Sequence, residues 1–125
     1  MKITRVLHVS LNASDGSLEE TRQWYADVLG LPAITTRPEI PGVPGHWLDA
    51  GGTQLHLVGA PPSQQEIDPT GPHWCLGVPD IEAAVAELEQ RNIPYRRAFQ
   101  GEGVVQIWVR DPSGATLELQ QDACQ

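Results

Sequence analysis

Gly52-Thr53-Gln54-Leu55-His56-Leu57 and Gly114-Ala115-Thr116-Leu117-Glu118-Leu119 each set an ionisable residue four positions after a turn glycine and between two leucines. The separation, 118 − 56 = 62 residues, nearly recurs elsewhere: Trp108 follows Trp47 by 61 and His73 follows His8 by 65. The two histidines also stand third in the similar stretches VLHVSL and GPHWCL. Offsets that differ by a few residues are what one duplicated unit with short loop insertions gives. The repeat therefore aims four metal-capable side chains, His8, His56, His73 and Glu118, from four strands into a shared cup.

The same order of elements reads out twice. Residues 3–12 form a strand with Leu7, Val9 and Leu11 on one face, broken by Asp15-Gly16. Ser17 and Glu20 make a capping box for a helix with Leu18, Trp24, Tyr25, Val28 and Leu29 on its apolar side, stopped by Gly30 ahead of Pro32. A short strand at 33–37, an irregular Pro/Gly stretch and a hairpin, 46–50 with 53–58 around Gly51-Gly52, complete module 1, residues 1–58. Residues 59–72, polar and with four prolines, are the linker. Module 2, residues 73–121, repeats the order. It has a strand at 73–78, a helix capped by Asp80 and ended by Asn92, a strand near 95–99, and a hairpin, 104–110 with 115–120, around Asp111-Pro112-Ser113-Gly114. The expected fold class is α+β, two tandem βαβββ modules forming a cup-shaped mixed sheet in a single domain, 1–125.

Strand parity sorts the side chains, because alternate residues face opposite sides of a sheet. One phase is apolar, from Leu7, Val9 and Leu11 through Leu55, Leu57, Trp74, Leu76 and Val78 to Val105, Ile107, Val109, Leu117 and Leu119, and is expected to pack on the helices. The other holds His8, Ser10, Asn12, Gln54, His56, His73, Cys75, Gln106, Arg110, Thr116 and Glu118. That phase is too polar for a dry core and must meet water, a metal or a ligand. Hairpin register sets Trp47 opposite His56 and Trp108 opposite Glu118, so each indole lies beside a metal-capable residue. Asp49 and Arg110 fall at the rim, where they are candidates for proton transfer and substrate charge. His46 has the opposite parity to Trp47 and reads as a surface residue.

Composition removes other classes. Sixteen acidic against eight basic residues give a net charge of −8, which repels nucleic acid and anionic membranes. No apolar run is long enough to span a bilayer, and the N-terminal stretch lacks a cleavage site. Two cysteines, Cys75 and Cys124, make no disulfide framework, which points to the cytoplasm.

The stretches LHVSL, WYADVLGL, GGTQLHLV, GPHWCLGVPDIEAAVAEL and VRDPSGATLELQ together resemble the vicinal oxygen chelate superfamily of glyoxalases, bleomycin-resistance proteins and extradiol dioxygenases. The resemblance implies one divalent metal held by His8, His56, His73 and Glu118, with two cis positions left for water or adjacent substrate oxygens. Three imidazoles and a carboxylate suit Fe, Mn, Co, Ni or Zn. Expected from this is a metal-dependent small-molecule enzyme of lyase or isomerase type, working through a metal-bound enediolate or vicinal oxygens. His56 or Asp49 would move the proton, and Trp47, Trp108, Asn12, Gln54 and Arg110 would bind substrate. An Fe(II) extradiol-type dioxygenase using His8, His73 and Glu118 with His56 assisting is one alternative. A drug- or metabolite-sequestering protein of the bleomycin-resistance kind is another. Asn12 stands where glyoxalase I enzymes often carry an arginine for the glutathione carboxylate, which argues against a glutathione hemithioacetal. The resemblance also implies a homodimer.

Overall fold

The structure, a computed structural model, describes residues 2–14, 16–38, 41–61, 66–70, 72–99 and 103–122. The chain divides into two compact units, Met1–Ser63 and Gln64–Gln125.

The first unit contains β1 (His8–Ala13), α1 (Leu18–Asp27), β2 (Gly45–Asp49) and β3 (Gln54–Gly59). β3 is central, parallel to β1 and antiparallel to β2. The hairpin register is the expected one, with Trp47 opposite His56. Gly51 and Gly52 both take positive φ, 71° and 99°, which a two-residue turn between twisted strands requires and which glycine adopts without a Cβ clash. The apolar phase of the sheet, Leu48, Leu55 and Leu57, is buried together with Tyr25, Leu18 and Thr21 of α1, and α1 packs on β3.

Three expectations for this unit are corrected. The first strand starts at His8 rather than residue 3, because pairing begins where β3 begins, at His8 opposite Gln54. The preceding residues are held by isolated bonds: Arg5 Nη1 donates to the Gly52 carbonyl, Thr53 Oγ1 to that of Val6, and the Gln54 amide to that of Leu7 at 3.2 Å. Leu7, expected in the core, is consequently 61% exposed. The strand at 33–37 reduces to one bridge, Ala33 with Leu48, so this sheet has three strands. Ser17 does precede α1, but its hydroxyl turns back to Ser14 Oγ (2.8 Å) and makes no cap.

At Gly45 an added Cβ would lie 2.4 Å from the Leu57 carbonyl oxygen, a backbone atom that cannot rotate away. Gly45→Ala should cost about 1–3 kcal/mol. Urea unfolding would show it as a lower midpoint, with Gly16→Ala, which meets nothing within 4 Å, as the near-neutral control.

The second unit contains β4 (Trp74–Val78), α2 (Ile81–Gln90), β5 (Tyr95–Phe99), β6 (Val105–Arg110) and β7 (Thr116–Gln121), in sheet order β4-β7-β6-β5. Asp80 caps α2 as expected, its Oδ1 accepting from the Glu82 and Ala83 amides at 3.0 and 3.1 Å. Asn92 ends the turn after it in the left-handed region, φ 55°. In the last hairpin Asp111 pairs with Ala115 (N–H to O 2.9 Å), Gly114 has φ 95°, and Trp108 lies opposite Glu118. Ile107, Val109, Leu117 and Leu119 are buried with Ile81, Val85 and Leu88 of α2. The end of the linker is fastened to β7: the Asp68 amide donates to Thr116 Oγ1 at 2.8 Å, and that hydroxyl donates to the Glu66 carbonyl at 3.3 Å. This satisfies Thr116, which is wholly buried although its strand phase is polar.

No helix among the described residues is long and apolar enough to cross a membrane. Cys75 carries a free thiol, and Cys124 lies outside the described residues.

Candidate metal-donor site

In the first unit three rings stack across three strands. His8 on β1 lies 4.1 Å from His56 on β3, centroid to centroid, at 14°, and Trp47 on β2 lies 4.3 Å from His56 at 5°. The register that opposes Trp47 to His56 and Ser10 to His56 produces this directly, since His8 is the same-face neighbour of Ser10. The guanidinium carbon of Arg37 stands 5.9 Å over the Trp47 ring. His56 Nε2 is 2.9 Å from Gln54 Oε1, so Nε2 donates to the carboxamide oxygen and Nδ1 carries the lone pair. Burial first, then the charges of His8 and Arg37, hold His56 below the ordinary imidazole value. Its neutral form, the one that donates to a metal, is thereby favoured.

In the second unit His73 and Glu118 come together, Nε2 to Oε2 3.3 Å. Glu118 is 4% exposed. Its Oε1 accepts from the Gln106 carboxamide at 3.0 Å and from that of Gln120 at 2.6 Å, which leaves Oε2 to face the imidazole. Two donors on one oxygen fix the carboxylate's rotation. Trp108 meets His73 edge to face at 4.7 Å and is itself buried. Cys75, opposite Glu118 on β4, is exposed as a residue. Its thiol is nevertheless pushed up to about 11, by burial and secondarily by Glu118. It stays protonated at neutral pH and is neither a ready nucleophile nor a ready ligand.

The four metal-capable residues thus form two donor pairs, His8 with His56 and His73 with Glu118. Among the described residues no group of three or more His, Cys, Asp or Glu side chains is clustered to hold a metal. The chemistry of the pairs fits a borderline divalent cation: two stacked imidazoles on one unit, an imidazole beside an oriented carboxylate on the other.

The remaining residues singled out in the sequence disperse. Asp49 is exposed at the end of β2, its Oδ1 accepting from the Gly51 amide at 2.9 Å, and it lines a cavity of about 470 Å³ with Gln54 and Arg5. Asn12 donates to the Pro61 carbonyl at 3.2 Å. Arg110 is exposed opposite Thr116. Sequence reasoning missed Gln106 and Gln120 as the carboxylate's holders, although their even spacing from Glu118 could have shown Gln120. It also missed Arg37 over Trp47, which no periodicity encodes. His46 is half-buried rather than a plain surface residue, with Nε2 3.4 Å from Glu19. Burial lowers its pKa, partly offset by Glu19 and reinforced by Arg22 and Arg37.

Because His46 and His56 titrate lower in the folded chain than in the unfolded one, the unfolded state binds more protons between the two values. Their contribution to stability is complete above about pH 6.5 and is lost as pH falls through the lower folded values. The thermal midpoint of metal-free protein should fall on acidification below about pH 6.5, and His46→Asn should flatten that slope. An unchanged slope in the variant would remove His46 from the account.

Comparison with known proteins identifies the fold. A glyoxalase-family protein from Bacillus anthracis superposes with a TM-score of 0.84 at 23% identity, covering 98% of each chain. Lactoylglutathione lyase from Agrobacterium tumefaciens gives 0.75 at 21%, covering 97% of this chain and 96% of that one. The trypanothione-dependent glyoxalase I of Leishmania major gives 0.72 at 24%, covering 95% and 87%. No curated protein matches the sequence significantly. The sequence fits the family model over residues 5–119, nearly its whole length, and this chain belongs to the Glyoxalase/Bleomycin resistance protein/Dioxygenase superfamily.

Proposed function

We propose that this chain is a divalent-metal-dependent enzyme acting on a small molecule with adjacent oxygens, by lyase or isomerase chemistry. The observation that carries the reading is Glu118, a nearly buried carboxylate with one oxygen held by Gln106 and Gln120 and the other turned to His73. A buried anion aimed at an imidazole invites a cation, and the equivalent position of the first unit holds His56 beside His8. Each unit would supply two donors, His8 with His56 and His73 with Glu118, to Fe, Mn, Co, Ni or Zn. Such an ion supplies Lewis acidity toward a substrate oxygen.

The chain's own residues supply proton movement and orientation. The single lone pair of His56, on Nδ1, serves either the ion or proton transfer: as a ligand it leaves Asp49 Oδ2 as the proton acceptor near Gln54, and off the ion it is itself the base, in the tautomer that Gln54 sets. Asn12 and Arg110 would bind substrate at the rim. Trp47 and Trp108 would bound the donors, since each already packs against a donor imidazole.

The hold of Gln54 on His56 Nε2 favours a second reading, in which His8, His73 and Glu118 are the ligands of an Fe(II) extradiol-type dioxygenase and His56 is its acid/base. Exposed Ile3, Val6, Leu7 and Phe99 support a homodimer, and the sparse cysteines support a cytoplasmic setting.

The test is metal content by mass spectrometry after chelation and reloading, followed by substrate screening. About one metal per chain, needing both donor pairs, together with turnover of a substrate carrying adjacent oxygens, is the expected result. Absence of specific metal binding, or tight ligand binding without turnover, would overturn it. Oxygen consumption with a catechol and iron would select the second reading.

A further inference from the structure

Arg37 is a cation in the first unit that no carboxylate among the described residues pairs with, whereas Arg22 on the neighbouring helix is paired with Glu19. Its Nη2 donates to the Val43 carbonyl at 3.2 Å, and its Nε is closed off from solvent with no acceptor. The guanidinium stands over Trp47 and borders a cavity of about 660 Å³ whose other walls include Leu18, Val43, Pro44 and His46. In a chain with a net charge of −8 this is an electrostatic exception: a half-buried guanidinium with an orphaned donor and, among the described residues, no carboxylate partner. Such a group costs free energy until an anion reaches it.

We propose that this cavity binds a small organic carboxylate through Arg37. The planar guanidinium matches a carboxylate in shape and charge, and Trp47 limits its movement. Leu18, Val43 and Pro44 offer apolar surface for the carbon frame of an acid. His46 adds a hydrogen-bonding ring without a second full charge at neutral pH. One guanidinium among apolar walls suits an organic monoanion over inorganic phosphate, which draws on several donors at once. None of the four metal-donor residues lines this cavity, so the proposal stands apart from the metal reading.

The experiment titrates benzoate, its neutral analogue benzamide and inorganic phosphate into chelator-treated full-length protein. Heat and the Arg37 Nε–H resonance are followed together. Expected are saturable benzoate binding at about millimolar Kd, no benzamide binding, and roughly tenfold or greater weakening in Arg37→Gln with partial retention in Arg37→Lys. Val43→Glu supplies a carboxylate from the cavity wall and should block benzoate while raising the thermal midpoint. That variant keeps the guanidinium in place, so it tests the site even where Arg37→Gln fails to fold. No saturable benzoate binding, equal binding of benzamide, stronger binding of phosphate, or undiminished affinity in Arg37→Gln would each overturn the proposal.

Discussion

Glu118→Gln is expected to lower divalent-metal affinity at least about a hundredfold, more than the loss of an outer partner such as Gln120 gives. The substitution keeps the shape of the side chain. Its carbonyl oxygen still accepts from Gln106 and Gln120 while an amide replaces the oxygen that faces His73, so the charge is lost with little disturbance to packing. Glu118→Ala would instead leave two carboxamides without their shared acceptor, at a cost of about 1–3 kcal/mol to folding, which would confuse binding with stability. Gln120→Leu should reduce affinity about tenfold by freeing the carboxylate to rotate. Competition with a chromophoric chelator measures all three, and the visible spectrum of the Co(II) form reports the change of ligand field independently of turnover. If Glu118→Gln binds metal as tightly as the parent, the second unit's donor pair has no part in holding it.

Tyr25→Ala should destabilise the protein by about 3–5 kcal/mol, a large share of the roughly 5–15 kcal/mol by which small domains are folded. Tyr25 has no exposed surface, lies edge to face with Trp24 at 5.1 Å, and belongs to the core that α1 shares with Leu48, Leu55 and Leu57. Its backbone carbonyl also receives the Leu31 amide at 3.1 Å and so helps close the helix. The first unit has only three strands, so little else can absorb the cavity. Chemical denaturation should show the loss as a lower midpoint, while Phe99→Ala, 69% exposed, serves as the control with little effect. Equal midpoints for the two variants would mean that the first unit does not limit stability.

The hairpins were legible because their chemistry is local. Gly51-Gly52 and Asp111-Pro112-Ser113-Gly114 admit few turn geometries, each turn fixes its register, and register put Trp47 opposite His56 and Trp108 opposite Glu118. Asp80 was legible as a cap for the same reason, its side chain bonding amides two and three residues on. The strand proposed at 33–37 and the early start of β1 failed because a strand exists only where a partner does. Apolar residues at 3–7 fit the alternation, but β3 begins at Gln54 and leaves them outside the strand ladder. Ser17 fitted the capping pattern, yet Ser14 lay within reach and took the hydroxyl.

The candidate donors divide in the same way. By itself the sequence determined the duplicated unit, the polar phase of each sheet and the position of His8, His56 and Glu118 on it, because a period of two and a repeated turn are properties of neighbouring residues; His73, expected on the strand, lies one residue before β4. Only the tertiary structure decided that His8 stacks on His56, that Gln54 holds one nitrogen of that ring, that Gln106 and Gln120 share one oxygen of Glu118, and that Arg37 stands over Trp47 beside an open cavity. Those are matters of rotamer and of contact between elements separated along the chain, and side-chain direction at that level is set by packing, which no local pattern records.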